Sequence, residues 1–524
     1  MDAAPASRAY PGVRVNWRVT PVRLAISLGI FALAVRVIGI GMRPLWLDEA
    51  YSAWFSARDW HYLWFVVPTY EPHPPFYCSI LKLWRALFGG GAVALRSLSV
   101  LLGVAAVPVV IACAIEQERQ DPTGRLNLRA AAAGFLAAFS PMLILLDQEA
   151  RPYPLLIFAY AVAILGIFRL MGEFRSSSHG TWKSWLLLGT GTELTLWSHD
   201  LGLLYAACIA LALLPAWLAR PFRRERFVRG GLIATAVAVF YLPCLLMLLN
   251  RAGDWGNGWL IWKPMMLFQL IGLYTVPGEA LTAGSIIAAV AILLLMKRAL
   301  QFAFESHGWN CDRALLLLWL GPVVLAVAIS ATLIPIFLLR TLGATLIPAC
   351  LALAAAIART SSSRERTVIS VTIAITLVPA AVQIAMRAPM ERWDEVSAFL
   401  QRNVAPADEV WLYPNDSALP LGEAGFQLDR MHGKPADYPA VGFKGPIRAG
   451  SPAVVSLTRK QAEELAASTR WNVPIVWLVT RQSSLFDPDD DVPNALSRVR
   501  RAGPIEHWRY IAVQPYYAAF TPKN

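Results

Sequence analysis

Residues 43–75 read RPLWLDEAYSAWFSARDWHYLWFVVPTYEPHPP, and this stretch decides how the chain is organised. It separates a strongly apolar segment (22–41) from a shorter one (76–88). At helical spacing the aromatic side chains share one face, and the other face carries Asp48, Ser52, Ser56 and Asp59. This pattern predicts a helix in the plane of a membrane interface, with aromatics at the headgroups and carboxylates toward water.

The composition is that of a membrane protein. Of the 524 residues, 56% are hydrophobic and only 16% are charged, and the mean hydropathy is +0.48. A soluble protein of this length does not have this balance. The formal charge of +12 comes from short basic loops between apolar segments, as in inner-membrane proteins. We therefore expect membrane lipids, and no nucleic acid, as partners.

Eleven apolar stretches predict membrane-spanning helices. They lie at about 22–42, 92–115, 129–146, 153–171, 182–198, 200–219, 229–249, 279–297, 313–333, 335–357 and 366–387. The first is interpreted as a retained helix, because no cleavage site follows it. The stretch at 76–88 is too short to cross a hydrocarbon core of ~30 Å and is expected to be half-inserted.

The basic loops predict the orientation. If the 76–88 helix does not span, these loops all fall on the side of the basic N-terminus, which is then cytoplasmic. The extracytoplasmic face then carries the Asp48 loop, the EPHPP turn, the turns near 147–153 and 198–200, the 251–263 loop and Arg340. The predicted location is the bacterial inner membrane, with the functional site outside the cytoplasm.

The composition changes near residue 388. Charges and prolines appear, with strand patterns at 408–414, 474–481 and 510–520 and helical patterns at 391–403 and 458–470. We therefore predict a membrane module at 1–387 and a small extracytoplasmic α/β domain at 388–524. The predicted fold is a polytopic α-helical membrane protein with about eleven transmembrane helices, interfacial helices and this C-terminal domain.

Ionisable and aromatic side chains gather at the predicted outer face, and they are the candidate site residues. They are Asp48, Glu49, Glu71, His73, Asp147, Glu149, Arg151, Tyr153, His199, Asp200, Lys263 and Arg340. An isolated Asp48 could act as a general base on a hydroxyl or help to hold a divalent cation. Arg340 could grip a phosphate in a bidentate fork.

Each candidate also has a structural interpretation. The acids could lie on a solvated helix face, and the proline pair after His73 could simply begin a helix. Glu149 and Arg151 could pair internally, and His199 could cap a helix end. Arg340 could snorkel to the interface. The same choice arises for Arg36 in the first apolar segment, where snorkelling is favoured.

Several motifs together are similar to those of a known family. WLDEAYS, HPPFY, ALRSLSVLLG, QEARPY, SHDLG and a late Arg before LIPA occur in this order between about residues 20 and 390. The set resembles bacterial polyprenyl-phosphate-dependent glycosyltransferases of the C-type membrane fold. These are relatives of protein O-mannosyltransferases and of the aminoarabinose transferase that modifies lipid A. The resemblance implies transfer of one sugar from a polyprenyl-phosphate donor to a lipid, glycan or protein acceptor, with inversion at the anomeric carbon.

The resemblance also implies roles for matching residues. Asp48 matches the acid of the DE motif and would be the general base, with Glu49 as its hydrogen-bonding neighbour. Glu71 and His73 match the segment where relatives keep a basic or metal-binding group near the phosphate. With His199, they are the candidate ligands of a divalent metal ion, and no other cofactor is expected. The family often has Arg-Tyr in its late motif, where this chain has Arg340 followed by threonine, so no donor-contacting tyrosine is assigned there.

Such a transfer requires few catalytic groups from the protein. A phosphate leaving group needs little acid catalysis, so one base and a cationic cradle suffice. His73, Arg151, Lys263 and Arg340 are the candidates for that cradle. The alternative is a transporter or flippase of lipid-linked sugars, which should place ionisable residues at the membrane midplane. Apart from Arg36, few residues do so here.

Overall fold

The structure of the chain is a computed structural model that describes residues 20–69, 71, 73–176, 178–220, 223–250, 262–278, 282–426, 466–467 and 473–518. Helices make up the larger part, and a small sheet follows near the C-terminus. The described helices are α1 (Pro21–Val37), α2 (Leu47–Ala57), α3 (Phe76–Phe88), α4 (Ala92–Gln120), α5 (Leu126–Phe139), α6 (Pro141–Asp147), α7 (Tyr153–Arg175), α8 (Trp182–Ser198), α9 (Gly202–Leu218), α10 (Arg224–Asn250), α11 (Gln269–Tyr274), α12 (Ala283–Glu305), α13 (Cys311–Thr332), α14 (Leu346–Arg359), α15 (Ser363–Ala385), α16 (Trp393–Asn403), α17 (Ala418–Glu423), α18 (Ser483–Phe486) and α19 (Asp491–Val499). Shorter helical turns include Tyr62–Val66, Pro264–Phe268 and Leu339–Thr345.

Seven helices in the described part of the chain are long and apolar enough to cross a membrane. An eighth arises if α5 and α6, which meet at a bend of 51°, form one span. A helix lies at each of the eleven predicted positions, but α1, α8 and α9 have only 17 residues each. At ~1.5 Å per residue such a helix is about 26 Å long, short of a ~30 Å hydrocarbon core. The fold is therefore multi-pass, with fewer full-length spans than predicted.

The helix α3 has the predicted bounds and 13 residues. It ends at Gly89, whose φ of +91° is a conformation that favours glycine. Its length agrees with the prediction that it does not cross the membrane. The neighbouring α4 begins at Ala92, so the two helices form a hairpin beside α2.

A buried ion pair joins the first helix to the α5–α6 bend. Arg36 Nε lies 2.7 Å from Asp147 Oδ2, and each side chain is 1% exposed. Arg36 also donates to the carbonyl groups of Ala137 and Ala138. A Cβ added at Gly103 would lie 2.2 Å from the Asp147 carboxyl carbon, so α4 also packs closely here. The prediction that Arg36 snorkels is wrong, and Asp147 lies in the helical core.

A second ionic cluster lies at the opposite end of the bundle from Asp48. Arg129 Nε lies 2.8 Å from Glu118 Oε2, and Arg359 Nη2 lies 2.6 Å from Asp312 Oδ2. The basic residues of the loops near 119–129 and 359–366 therefore share one end of the bundle, as predicted. The side of the membrane that this end faces stays a prediction.

Within the described residues of the C-terminal part, five strands form a sheet. They are β1 (Glu409–Tyr413), β2 (Ile475–Arg481), β3 (Arg500–Ala502), β4 (Glu506–Trp508) and β5 (Ile511–Ala518). Their order is β1-β2-β5-β3, and β4 also pairs with β5. Of the four pairs that these described strands form, β1–β2 is parallel and the other three are antiparallel. The three predicted strands and the helix predicted at 391–403 are confirmed within two residues. The helix predicted at 458–470 lies outside the described residues except for 466–467.

Two apolar clusters hold this sheet, one on each face. The first includes Trp393, Val410 and Val513, and the second includes Trp411, Leu478 and Tyr516. Alternate residues of β1 thus enter opposite clusters, as the two-residue period of a strand requires. The sheet therefore has its own core, separate from that of the helical bundle.

Candidate active site

The acidic side chain of Asp48 lies in the first turn of α2 between two arginines. Its Oδ2 atom is 2.9 Å from Arg340 Nη2 and 3.7 Å from Arg151 Nη2. Arg151 Nη1 also donates to the backbone carbonyl of Asp48, at 3.0 Å. These three residues come from α2, the α6–α7 turn and the turn before α14. The structure therefore brings together three side chains that the sequence placed on one predicted face.

These arginines determine the protonation of Asp48. Burial favours the neutral form of its carboxyl group, but the positive charges of Arg340 and Arg151 outweigh burial. The pKa of Asp48 therefore lies below its ordinary value. Asp48 is a carboxylate at neutral pH and accepts a proton only from a strongly activated donor or in a site that has changed on binding.

Glu49 is buried, although the sequence predicts that the carboxylates of this helix face water. Its carboxylate receives two bonds from Arg96, with Nε–Oε1 at 2.7 Å and Nη2–Oε2 at 2.5 Å. Glu49 is 0% exposed, and Ser52 and Ser56 are 1% exposed. The polar face of α2 is thus packed into the protein, because Arg96 of α4 neutralises it. The prediction that this face of the helix, with its carboxylates, points toward water is therefore wrong for Glu49 and the two serines.

The same ion pair organises the backbone around Asp48. Arg96 also donates to the carbonyl groups of Ile40, Arg43 and Pro44 at 2.8, 2.8 and 3.0 Å. Glu49 Oε1 accepts from the N–H of Ala150 at 2.9 Å. One buried pair thereby links the segment before α2 to the turn that carries Arg151.

Histidine and acid side chains lie beside this centre. His73 Nδ1 bonds to Glu71 Oε1, and the His73 ring meets His199 edge to face at 4.6 Å between centroids. The ring of Tyr153 lies 5.9 Å from that of His199. A small recess is lined by Ser52, Glu71, His73 and Arg151, among others. The EPHPP turn therefore lies against the Asp48 centre, as predicted.

His199 is neutral in this setting. Burial, with help from nearby positive charge, lowers its pKa well below the ordinary value. The N–H of Leu201 donates to His199 Nδ1 at 3.0 Å. The remaining proton therefore sits on Nε2, which can donate a hydrogen bond.

The candidate metal ligands do not form a metal site. Among the described residues, no group of three or more His, Cys, Asp or Glu side chains is arranged to hold a metal ion. Glu71 and His73 bond to each other, and His199 Nδ1 accepts from the backbone. These three side chains are therefore engaged with each other and with the backbone in the described structure.

A cationic and aromatic wall stands opposite the carboxylate. The Arg340 guanidinium lies 5.3 Å from the ring of Trp46 and 5.9 Å from that of Tyr153, and Arg151 also lies 5.9 Å from Tyr153. Within the described part of the chain, Trp46 Nε1, Arg151 Nε and Arg340 Nε are buried without a hydrogen-bond partner. Buried donors of this kind are costly unless a ligand satisfies them, and guanidinium groups suit phosphate oxygens.

Four predicted residues remain, and of these Glu149 is near enough for its charge to act on Arg340. Asp147 pairs with Arg36 in the core. Glu149 lies 3.7 Å from Arg387, and burial raises its pKa to about 7. Asp200 is half-buried in the turn before α9, and Lys263 is exposed where the turn Pro264–Phe268 begins. The 251–261 part of the loop before Lys263 lies outside the described residues.

Sequence reasoning missed four residues near Asp48. Arg96 was detectable, because it is a lone charge in an apolar segment. Glu391, Asp416 and Arg481 come from the C-terminal part, and no sequence pattern connects them to the early motifs. Glu391 Oε2 accepts from the N–H of Leu47 at 3.2 Å, and its Oε1 accepts from Arg481 Nε at 2.6 Å.

No protein-family model matches the sequence, and no curated protein matches it. Solved structures do match. The apo structure of ArnT from Cupriavidus metallidurans has a TM-score of 0.56 and 12% identity over 94% of this chain and 97% of that one. The same protein bound to undecaprenyl phosphate has a TM-score of 0.54 and 12% identity over the same shares. The Archaeoglobus fulgidus oligosaccharyltransferase tethered to an acceptor peptide has a TM-score of 0.51 and 13% identity over 91% of this chain and 71% of that one.

These similarities span both the helical bundle and the C-terminal sheet, because they cover more than nine tenths of the chain. The fold expected from the WLDEAYS and HPPFY motifs is confirmed. The chain has the fold of the C-type membrane glycosyltransferases.

Proposed function

We propose that this chain is an inverting glycosyltransferase that moves a sugar from a polyprenyl-phosphate donor to an acceptor hydroxyl. The observation that carries the proposal is the Asp48 carboxylate held between Arg340 and Arg151. A base next to two phosphate-binding cations is the minimal equipment for this transfer. The fold supports it, since ArnT has been solved with undecaprenyl phosphate and the archaeal oligosaccharyltransferase with a dolichol-phosphate.

The reaction is a single displacement. Asp48 takes the proton of the acceptor hydroxyl as its oxygen attacks the anomeric carbon. The bond between that carbon and the phosphate oxygen breaks, and its electron pair leaves with the polyprenyl phosphate. Arg340 and Arg151 stabilise this added negative charge. Attack from the face opposite the phosphate inverts the anomeric centre.

The donor also explains how Asp48 becomes a base. In the free protein, Arg340 and Arg151 lie beside the Asp48 carboxylate, and their positive charges lower the pKa of Asp48. A phosphate that competes for Arg340 and Arg151 reduces their hold on Asp48, so the basicity of the carboxylate rises. Donor binding therefore prepares the base for the acceptor.

We place the reaction at the outer face of the bacterial inner membrane. The basic loops share the bundle end away from Asp48, and such loops favour the cytoplasm. Residues 1–387 then form the membrane module, and residues 388–524 form an extracytoplasmic domain over the site. A donor headgroup in the outer leaflet can reach Asp48 without crossing the membrane core.

A comparison of cell envelopes tests the function. Mass spectrometry of envelope glycolipids and glycoproteins, from cells with and without this protein, should show one glycan that loses a single sugar residue in its absence. The wild-type chain should restore that residue. Identical glycans in the two strains, together with no sugar transfer by the purified chain from polyprenyl-phosphate donors, would contradict the proposal.

Replacing Arg340 by glutamine should weaken the binding of undecaprenyl phosphate about 10- to 100-fold, because charge-assisted hydrogen bonds to the phosphate are lost. It should also move the acidic limb of the pH–rate profile upward. Arg340 lowers the pKa of Asp48, so without it the carboxyl group becomes protonated, and activity falls, at a higher pH. Titration of binding and a pH–rate profile measure the two effects.

Arg364→Gln provides the matched control, because Arg364 is exposed in the first turn of α15 at the opposite end of the bundle. It should leave both measurements at wild-type values. Unchanged phosphate binding in Arg340→Gln would remove Arg340 from the cradle.

A further inference from the structure

The carboxyl ends of the two parallel strands of the C-terminal sheet point to one edge. Tyr413 at the end of β1 is in register with Thr480 near the end of β2. Asp416 and Ser417 follow β1, and Arg481 ends β2. Loops at the carboxyl ends of parallel strands are the usual place for ligand contacts in α/β folds. We call Asp416, Ser417 and Arg481 the strand-end cluster.

This edge lies against α2, the helix that carries Asp48. The helix α17, which follows Ser417, packs on α2. Glu391 bridges the two parts, because it accepts hydrogen bonds from the N–H of Leu47 and from Arg481. The charges of Asp416 and Arg481 also act on Asp48. The strand-end cluster therefore borders the same centre as Arg340.

Two members of the cluster are buried with unused polar atoms. Asp416 is 2% exposed and Ser417 is 0% exposed. In the part of the chain that the structure describes, Ser417 Oγ has no hydrogen-bond partner. The Asp416 carboxyl oxygens also make no hydrogen bond of good geometry, and the one group that approaches them as a donor is the backbone N–H of Ser417. Buried polar atoms are rarely left in this state, and a binding role is one of the recognised reasons. Burial raises the pKa of Asp416 to about 7, so this group can donate or accept at neutral pH.

The charges around the cluster select the kind of ligand. The carboxyl groups of Asp416 and Asp48 together disfavour an anionic ligand. The donor phosphate is instead bound by Arg340 and Arg151 in the proposed reaction. Arg481 at the same edge disfavours a cation. A neutral hydroxyl can donate to Asp416 and accept from Ser417 without either cost.

Building on the proposed function, we propose that Asp416 and Ser417 bind hydroxyl groups of a sugar next to Asp48, so that the C-terminal domain takes part in substrate binding. Such hydroxyls come either from the transferred sugar of the donor or from a sugar of the acceptor. The two sources present the same chemistry to the cluster. They differ in which substrate loses affinity when the cluster is changed.

The variant Asp416→Ala separates these sources. Undecaprenyl phosphate without a sugar should bind this variant as it binds the wild type, because the arginines hold the phosphate. If the donor sugar is the ligand, undecaprenyl phosphate carrying glucose, mannose or arabinose should bind about 10- to 100-fold more weakly. If the acceptor sugar is the ligand, donor binding should stay constant and the KM for the acceptor should rise by a similar factor. Ser417→Ala should change the same substrate by a smaller factor.

Thermal stability distinguishes binding from a structural role. Removing a buried carboxyl group that makes no hydrogen bond of good geometry should leave the Tm unchanged or raise it, as at many functional sites. A lower Tm of Asp416→Ala with a parallel loss of every activity would overturn the inference. Asp489→Ala is the control, because Asp489 is an exposed acid of the same domain.

Two further outcomes are also decisive. If wild-type protein binds and uses its substrates and Asp416→Ala does so with unchanged constants, the inference fails and the proposed function stands. If wild-type protein neither binds undecaprenyl phosphate nor transfers a sugar from it, the proposed function fails, and this inference fails with it.

Discussion

Asp48→Asn should lower the turnover number of sugar transfer by about 10²- to 10⁴-fold, the range for loss of a general base. Asparagine has nearly the shape of aspartate but does not accept the proton of the acceptor hydroxyl. The protein should stay folded, because α2 is anchored through Glu49 and Leu47 rather than through Asp48. Turnover of the purified variant and its Tm are the two measurements.

The variant should also bind undecaprenyl phosphate at least as tightly as the wild type. Its neutral amide no longer competes with the phosphate for Arg340 and Arg151, which Asp48 engages in the free protein. A structural defect would instead weaken binding together with turnover. Asp59→Asn is the control, since Asp59 is an exposed acid that follows the same helix. Near-normal turnover by Asp48→Asn would remove the general-base assignment.

The helices could be predicted because hydropathy and period are local properties. Each of the eleven apolar stretches contains a helix, and α3 matches its predicted bounds. Local patterns also placed Asp48, His73, Arg151 and Arg340 at one end of the bundle. Their contacts confirm this grouping, although their roles in catalysis stay predictions.

Partners that lie far apart in sequence could not be predicted in this way. The sequence favours snorkelling for Arg36, but its partner Asp147 lies 111 positions away. The amphipathic pattern of α2 predicts that its carboxylates face water, but Glu49 pairs with Arg96, which lies 47 positions away. A lone charge in an apolar helix indicates that a partner exists, but the partner is fixed only by how the helices pack.

The residues that the C-terminal domain brings to the candidate site could not be predicted, for a related reason. The strands β1 and β2 were predicted from their own sequences, but their parallel pairing brings Asp416 and Arg481 to one edge. Pairing direction depends on the connection between the strands, which is not readable from either strand alone. The bridge from Glu391 to Leu47 then joins that edge to α2.

Glu49→Gln should reduce the stability of the folded protein by about 3–5 kcal/mol, the usual cost of removing one partner of a buried ion pair. The guanidinium of Arg96, which is 2% exposed in this pair, would then keep a buried charge without its carboxylate. Activity should fall as well, because Arg96 of this pair holds the segment before α2 and Glu49 holds the turn that carries Arg151. Thermal or denaturant unfolding in detergent measures the change.

Burial, and not the ion pair itself, is the reason for this large effect. Arg298 and Glu365 are also 2.5 Å apart, but their side chains are 39% and 42% exposed. Glu365→Gln should therefore cost at most about 1 kcal/mol. In the double variant Glu49→Gln with Arg96→Met, neither charge of this pair stays buried, so part of the lost stability should return. Equal effects of the two glutamine substitutions, or no recovery in the double variant, would show that the Glu49–Arg96 pair does not hold α2 in place.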